Sequence, residues 1–272
     1  MQVAEIFDKA SGKLPMVPKV VQELVASFHQ TNVNIDEITD KVGHDQVLTA
    51  RVLRLANSAR FGGSRQVGSL DDAVILLGFD NLRVLVIASG VTGATAGITN
   101  FDMRAFWQRS FAMANTAKRL AKLAGLNGQL GYTCGLLANI GELVTYVAVP
   151  ELAEQIDKIV RGGADRVTTE RMLLGMDLTD VGAELARRWN FPDEIQEAIY
   201  HQRELLDDVS PYALLIGLAS FVVSGFCHDM NESDMLRSLP LPVVERLRLD
   251  PERLAAAMGD LKTSSTLVDE LF

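Results

Sequence analysis

The chain has 272 residues, of which 48% are hydrophobic and 6% aromatic, and its formal net charge at pH 7 is −9. This apolar content can bury a sizeable core and excludes a disordered chain. The acidic balance disfavours general nucleic-acid binding, because neutralisation of phosphates by Lys and Arg supplies most of the non-specific affinity. Few aromatic residues and many Leu, Ala and Val residues favour packed helices over a β-sandwich. We therefore predict an all-α protein.

Cysteine usage and the apolar runs predict a cytoplasmic location. Cys134 and Cys227 lie far apart among apolar neighbours, which favours reduced thiols over a disulfide. The N-terminal residues contain no apolar core flanked by basic residues, so we predict no signal peptide. The longest apolar run, 213–227, is shorter than the about 20 residues that a membrane helix needs. We predict a buried core helix there.

Capping patterns in the first third of the chain predict several short helices. Asn34 and Ser69 are each followed three residues later by an acidic residue, the pattern of a capping box. Asp45 precedes a longer helix predicted over 46–59. The helix that begins after Ser69 should end at Gly78, because glycine readily adopts the left-handed conformation that terminates helices.

Longer helices are predicted in the rest of the chain. The Gly-, Ala- and Thr-rich stretch 90–100 predicts a linker or a frayed helix end, and we place a subdomain boundary near it. A long helix follows from Asp102 to about Gly125. Residues 170–189 predict another helix or a bent pair, since two glycines within it permit a kink.

The stretch Cys134–Leu143, with the sequence CGLLANIGEL, organises the middle of the chain. Leu136, Ile140 and Leu143 recur at helical spacing, which predicts one helix with an apolar face against the core. Ala138 and Asn139 lie at its centre.

Several motifs resemble a known family. The chain contains L-P-x-x-P from Leu14, L-T-A-R-V-L-R-L-A-N-S from Leu48 and S-L-D-D-A-V-I-L-L-G from Ser69. These are similar to successive signatures of the HDOD family of bacterial signalling proteins, a degenerate branch of the HD superfamily, and the resemblance extends to about Val223. It implies an HD/PDEase-like helical bundle with an N-terminal subdomain of short helices.

The resemblance also implies where a metal centre would lie. HD phosphohydrolases hold a metal through a His, a His-Asp pair in a G-L-L-H-D-I-G-K context and a later Asp, with further histidines for a second ion. Guanidinium and alkyl groups have no lone pair to offer a metal, and a neutral amide is a poor substitute for a carboxylate. We therefore predict that no metal is bound and that no cofactor is used. The matching positions here are Arg109, Ala138, Asn139, Leu178 and Ser220, with Glu142 in place of the family's lysine.

Two polar features leave alternatives open. Arg109 is either a solvated surface charge or an internal ion-pair partner in the former metal space. Glu197 and His201 stand four residues apart, so they could share a helix face and bind a metal weakly, although an ordinary polar contact is the simpler interpretation.

Residues 41–66 form a locally basic segment. It contains four arginines and Lys41 against the single acid Asp45. A solvent-exposed face, a partner-protein surface and a helix-turn-helix for DNA are the alternatives, and the acidic chain disfavours the last. The candidate partner surface comprises Arg51, Arg54, Arg60 and Arg65.

These observations lead to one expected organisation. We predict an N-terminal helical subdomain over 1–98, an HD-like bundle without metal ligands over 99–228, and an acidic helical tail over 229–272. The resemblance implies a non-catalytic interaction or output module in bacterial signalling. Its expected partners are a kinase, a receiver or a cyclic-nucleotide enzyme, with neither nucleic acid nor membrane.

Two alternatives for the function stay open at this point. A small-ligand sensor could use the vacated pocket beneath Ala138 and Asn139 for a nucleotide such as cyclic di-GMP. A residual metal-dependent phosphohydrolase would need ligands that the motif positions do not supply.

Overall fold

The protein is all-α. The computed structural model describes residues 1–11, 35–58, 61, 66–95, 101–204 and 208–261, and these ranges contain helices and no strand. The predicted fold class is confirmed. The helices are α1 Val3–Lys9, α2 Ile35–Gly43, α3 Gln46–Ala56, α4 Leu70–Thr95, α5 Met103–Leu123, α6 Gly128–Leu137, α7 Ile140–Ala148, α8 Pro150–Arg161, α9 Arg166–Leu174, α10 Leu178–Arg188, α11 Asp193–Tyr200, α12 Pro211–Cys227, α13 Glu232–Arg237, α14 Leu241–Arg246 and α15 Pro251–Leu261.

The chain forms two compact units. The larger unit combines Met1–Lys13 with Gly97–Ser265, and the smaller unit combines Leu14–Ala96 with Thr266–Phe272. Helix α1 therefore belongs to the larger unit, whereas the sequence analysis grouped it with the N-terminal subdomain. Phe7 explains this placement, because its buried ring lies 4.2 Å from the Arg188 guanidinium of α10. The predicted domain limits at residues 98 and 228 stay a prediction.

Helices α2, α3 and α4 form the described part of the smaller unit. Val42 and Val52 are fully buried in it, and the Thr49 hydroxyl donates to the carbonyl oxygen of Val42 at 3.0 Å. Ser69 caps α4 as predicted, since its hydroxyl accepts from the Asp72 N–H at 3.1 Å. Gly78 interrupts the helix with φ 71° and ψ 168°, as its position predicted. Helix α4 then continues to Thr95, beyond the start of the predicted linker.

The core of the larger unit lies around the pair α5 and α6. Phe106, Trp107 and Phe111 of α5 are each 1% exposed. Gly135 of α6 lets the two backbones approach closely, because a Cβ at this position would lie 2.7 Å from the carbonyl oxygen of Met113. Helix α12 packs against both, and its run of buried apolar residues confirms the predicted core helix. Within the described ranges, no helix has the length and apolarity to cross a bilayer.

The tail helices belong to this unit. Helix α15 packs against α5, and it buries Leu254 and Met258 almost completely. The described part of the acidic tail is therefore an integral layer of the larger unit.

The central stretch is two helices instead of the single helix predicted. Helix α6 ends at Leu137 and α7 begins at Ile140, so the break falls on Ala138 and Asn139 themselves. The backbone of Asn139, with φ −104° and ψ 12°, has left the helical region. Periodicity alone did not reveal this turn, because the apolar residues on both sides face the core.

Glycine also sets the packing of α7 against α10. A Cβ at Gly141 would lie 2.0 Å from the carbonyl oxygen of Leu178 and 2.8 Å from the backbone nitrogen of Gly182. Upstream, Gly175 has φ 78° and separates α9 from α10, which resolves the predicted bent pair into two helices. The start of α10 is thus pressed directly against α7.

We predict that Gly141→Ala destabilises the larger unit by roughly 3 kcal/mol or more, because both neighbouring atoms belong to backbone and cannot move aside cheaply. Urea unfolding followed by tryptophan fluorescence measures this, since both tryptophans lie in the larger unit. Gly259→Ala is the matched control: its new Cβ would meet only a glutamate oxygen at 4.0 Å, so stability should be unchanged or slightly raised. Equal stability of the two variants would contradict the packing described.

Candidate functional site

The positions that the resemblance assigns to a metal centre carry side chains fixed by other contacts. Ala138 is fully buried at the end of α6, and its carbonyl oxygen accepts from the Gln202 amide at 2.9 Å. Leu178, the first residue of α10, is 2% exposed. Asn139 and Ser220 are half-buried, and Ser220 lies on α12.

Arg109 of α5 makes an ion pair with Glu142 of α7. Its Nη2 lies 2.9 Å from Oε1 and 3.2 Å from Oε2 of the carboxylate. The Glu142 side chain is 6% exposed and that of Arg109 is 43% exposed. The structure shows Arg109 as an ion-pair partner of Glu142, which was one of the two alternatives. Its side chain also remains partly exposed to solvent. The resemblance assigns Arg109 to the position of the family's first His and Glu142 to the position of its Lys.

Glu142 belongs to a larger group of charged residues. Arg166 of α9 places Nη2 3.8 Å from Glu142 Oε1 and donates to Asp157 of α8. Its Nη1 lies 3.3 Å from Glu170 Oε1, one helical turn further along α9. The Tyr146 hydroxyl of α7 donates to the second oxygen of Asp157. We call this group the Glu142 ion cluster; it comprises Arg109, Glu142, Tyr146, Asp157, Arg166 and Glu170.

Burial and neighbouring charge shift the pKa values within the cluster. Burial is the main cause that raises the pKa of Tyr146, and its hydrogen bond to Asp157 adds to the effect. Burial also raises the pKa of Glu170 to about 7, against the opposing effect of Arg166. For Arg166, burial lowers the pKa, but Glu142 and Asp157 outweigh it and raise the pKa overall. Arg166 therefore stays protonated, and it contacts all three carboxylates of the cluster.

The cluster reaches the first turn of α10. Glu170 Oε2 accepts a hydrogen bond of 2.8 Å from the Leu178 N–H, one of the helix-start donors that has no partner within its own helix. Asp177 caps the same helix through Thr179, and its other oxygen accepts from Arg171 at 2.8 Å. Burial raises the pKa of Asp177, but the bonds from Thr179 and Arg171 outweigh it and hold the pKa below its ordinary value.

The residues present do not fit a metal ion. Alkyl groups stand at Ala138 and Leu178, and the guanidinium of Arg109 would repel a cation. The carboxylates of the cluster are already paired with arginines. Across the described ranges, no group of three or more His, Cys, Asp or Glu residues is arranged to hold a metal.

A family model for the HDOD domain matches residues 14–205, well over half of the chain. The chain belongs to the HDOD family. The predicted membership is confirmed, and the match covers both the Arg109 position and the Ala138-Asn139 pair. The HDOD match ends before α12, so Ser220 lies outside it.

Solved structures support the same assignment. A candidate phosphohydrolase from Shewanella amazonensis SB2B is 32% identical, with a TM-score of 0.76 over 99% of this chain and 98% of that chain. An HDOD domain protein of unknown function from Geobacter sulfurreducens is 26% identical, with a TM-score of 0.73 over 99% and 98%. A candidate signal transduction protein from Marinobacter aquaeolei VT8 is 25% identical, with a TM-score of 0.77 over 95% of this chain and 58% of that chain.

One curated relative is longer. An uncharacterized protein of Treponema pallidum (strain Nichols) is 27% identical over 221 residues, which cover 80% of this chain and 43% of that protein. The HDOD chain thus spans less than half of the length of this relative.

His201 and the arginines predicted as a partner surface lie in different parts of the chain. His201 follows α11, with Nε2 3.2 Å from Glu197 and Nδ1 2.8 Å from Glu204, so the polar contact at helical spacing is present. On α3 of the HDOD chain, Arg54 is exposed and Arg51 half-buried. Arg60 and Arg65 lie outside the described residues.

A cavity of about 440 Å³ opens beside α12 in the larger unit. Ser220, which the resemblance assigns to the position of the HD family's last Asp, forms part of its wall together with Gln202. Gln202 is 4% exposed and also holds Ala138, so the cavity wall is bonded to the central turn. No local sequence pattern pointed to this cavity, because its walls come from three segments, 202–204, 214–230 and 240–243, that tertiary packing brings together.

The sequence analysis also missed Arg166, Asp157 and Glu170. The spacing of Arg166 and Glu170, at i and i+4 on a helix, was a readable signal for an ion pair. Asp157 carried no such signal, because it meets Arg166 only when α8 and α9 fold back on each other. Tyr146 is likewise brought to Asp157 by the turn between α7 and α8.

We predict that Glu170 makes the HDOD chain lose stability as pH rises. Its folded-state pKa of about 7 lies above the ordinary value of 4.5, so the folded chain binds more protons between these values. The resulting stability is fully present below about pH 4.5 and lost as pH rises through about 7, and ~2 kcal/mol of it is lost between pH 5.5 and pH 8. Urea unfolding at pH 5.5 and pH 8 should show this loss in the wild type and not in Glu170→Gln.

The control for this prediction is Glu252→Gln, which changes an exposed carboxylate of α15. It should keep the wild-type difference between the two pH values. A Glu170→Gln variant with the same pH dependence as the wild type would show that Glu170 does not titrate in this range.

Proposed function

We propose that this HDOD protein is a non-catalytic signalling module that acts by binding a partner protein. The observation that carries the proposal is the replacement of metal donors by an internal ion cluster. Arg109 stands at a His position and is held on Glu142 at 2.9 Å, so a cation of the protein lies where the family's enzymes begin their metal shell. A hydrolytic role would need donors that the described residues do not provide.

The names of the relatives point in two directions. The Marinobacter neighbour is described as a signal transduction protein, and the Shewanella neighbour as a phosphohydrolase. For this chain the substitutions at Arg109, Ala138 and Leu178 favour the first direction, because each removes a lone-pair donor. The fold is then retained as a rigid scaffold for binding.

The candidate partner surface lies on α3. Arg51 and Arg54 are three residues apart, so they project from neighbouring positions of one helix face. Arginine is a favoured anchor at protein interfaces, since its guanidinium can make several hydrogen bonds to carboxylates. The proposed partner is therefore an acidic surface of a bacterial kinase, receiver or cyclic-nucleotide enzyme.

Small-ligand sensing is a second candidate function. The cavity beside Ser220 supports ligand sensing. The proposed ligand site is this cavity, whereas the sequence predicted a pocket beneath Ala138 and Asn139. Ala138 is fully buried, and Gln202 lies between its carbonyl oxygen and the cavity. A ligand in the cavity would act on the central turn through Gln202.

We predict that the tagged protein recovers a specific signalling protein from its own cells and that Arg51→Glu with Arg54→Glu abolishes the recovery, since charge reversal repels an acidic partner. Co-purifying proteins are identified by mass spectrometry. The matched control is Arg237→Glu with Arg253→Glu, which reverses two exposed arginines of α13 and α15 in the larger unit. The control should recover the partner at the wild-type level, and undiminished recovery by the α3 variant would refute the proposed surface.

A further inference from the structure

We infer that the cavity beside α12 binds a small organic anion with an apolar body. This inference deepens the ligand-sensing candidate and is independent of partner binding through α3. The volume of about 440 Å³ lies within the range of roughly 300–1,000 Å³ typical of small-molecule sites. All of the walls belong to the larger unit.

The inner wall of the cavity is apolar. Leu214 and Leu218 of α12 line it and are 4% and 1% exposed, and Val243 of α14 lines it at 3%. Phe221, one turn beyond Leu218, is only half-buried and offers a ring face. Phe221 has exposed apolar surface that an apolar or aromatic ligand body would cover, and the buried side chains form the wall against which that body would pack.

The rim supplies hydrogen-bond donors. Ser220 and Ser224 bring two hydroxyl groups from α12, and Arg203 brings an exposed guanidinium. The positive charge of Arg203 extends to Asp165, whose pKa is lowered first by its bonds from Thr168 and further by Arg203. The acid of the rim, Glu204, is engaged by His201 Nδ1 at 2.8 Å. Ser220, Ser224 and Arg203 can all donate to one head group at the rim, and the charge of Arg203 favours a carboxylate or phosphate.

Hydrogen bonds of Gln202 connect the cavity wall to the turn at Ala138 and Asn139. The Gln202 amide donates to the carbonyl oxygens of Ala138 and Ile199, both at 2.9 Å. Gly217 of α12 packs so tightly on this residue that a Cβ would lie 2.6 Å from the Gln202 carbonyl oxygen. A ligand that contacts Gln202 would therefore stabilise the junction between α6 and α12, and its binding should raise the melting temperature.

The test compares octanoate with octanol, two probes with the same apolar chain and different head groups. Thermal unfolding of the full chain is followed by tryptophan fluorescence at probe concentrations below micelle formation. Octanoate should raise the melting temperature in a saturable way, with an affinity about tenfold or more above that of octanol. Absence of a saturable shift with octanoate would overturn the site, and equal shifts with both probes would overturn the anionic head group.

Two variant pairs locate the binding. Ser224→Trp places a bulky side chain over the cavity and should weaken octanoate about tenfold or more, whereas Ser238→Trp, at an exposed position after α13, should not. Arg203→Glu should bring octanoate affinity down to that of octanol, whereas Arg237→Glu should leave it unchanged. Wild-type octanoate binding in Ser224→Trp would place the probe elsewhere and overturn the inference. If Ser224→Trp lowers the melting temperature in the absence of probe, the comparison of Arg203→Glu with Arg237→Glu decides whether octanoate binds in the cavity.

Discussion

A carboxylate taken out of water is costly unless cations and hydrogen bonds compensate it, and Glu142 is such a carboxylate in the middle of the larger unit. Arg109 meets it from α5 and Arg166 approaches it from α9. Arg166 in turn holds Asp157 of α8 and Glu170, and Glu170 accepts from the first N–H of α10. The compensation of one buried charge thus ties five helices together. The turn at Ala138 and Asn139 directs α7 toward the Glu142 ion cluster.

The same constraint accounts for the proposed loss of catalysis. A metal centre concentrates positive charge among donors that are kept free for it, whereas here each carboxylate of the ion cluster already contacts an arginine. In the proposed interpretation, the ion cluster and a metal are alternatives at one place in the fold. Changing one motif position back to a donor would leave Arg109 and its partners intact. In the proposed function the scaffold is kept, and its surfaces and its cavity are the parts that bind partners or ligands.

Much of the local structure could be predicted from the sequence, because its causes are local. Ser69 and Gly78 set the ends of helical segments through their own backbone contacts and conformations. The family motifs predicted the fold: the motif from Leu48 runs along α3 into the turn after it, and the motif from Ser69 covers the cap and the first part of α4 as far as Gly78. In contrast, the turn at Ala138 and Asn139 was hidden within a continuous apolar pattern. Asp157 and the cavity depend on residues that only tertiary packing brings together, so no local pattern predicted them.

Metal titration decides between the Glu142 ion cluster and a metal centre. Titration calorimetry with Mn²⁺ is run on the wild type and on Ala138→His with Asn139→Asp, alongside hydrolysis of bis(p-nitrophenyl) phosphate. We expect no stoichiometric Mn²⁺ binding and no metal-dependent hydrolysis by either protein, because Arg109 and Leu178 still supply no donor. Stoichiometric binding by the wild type, together with hydrolysis that a chelator abolishes, would contradict this expectation.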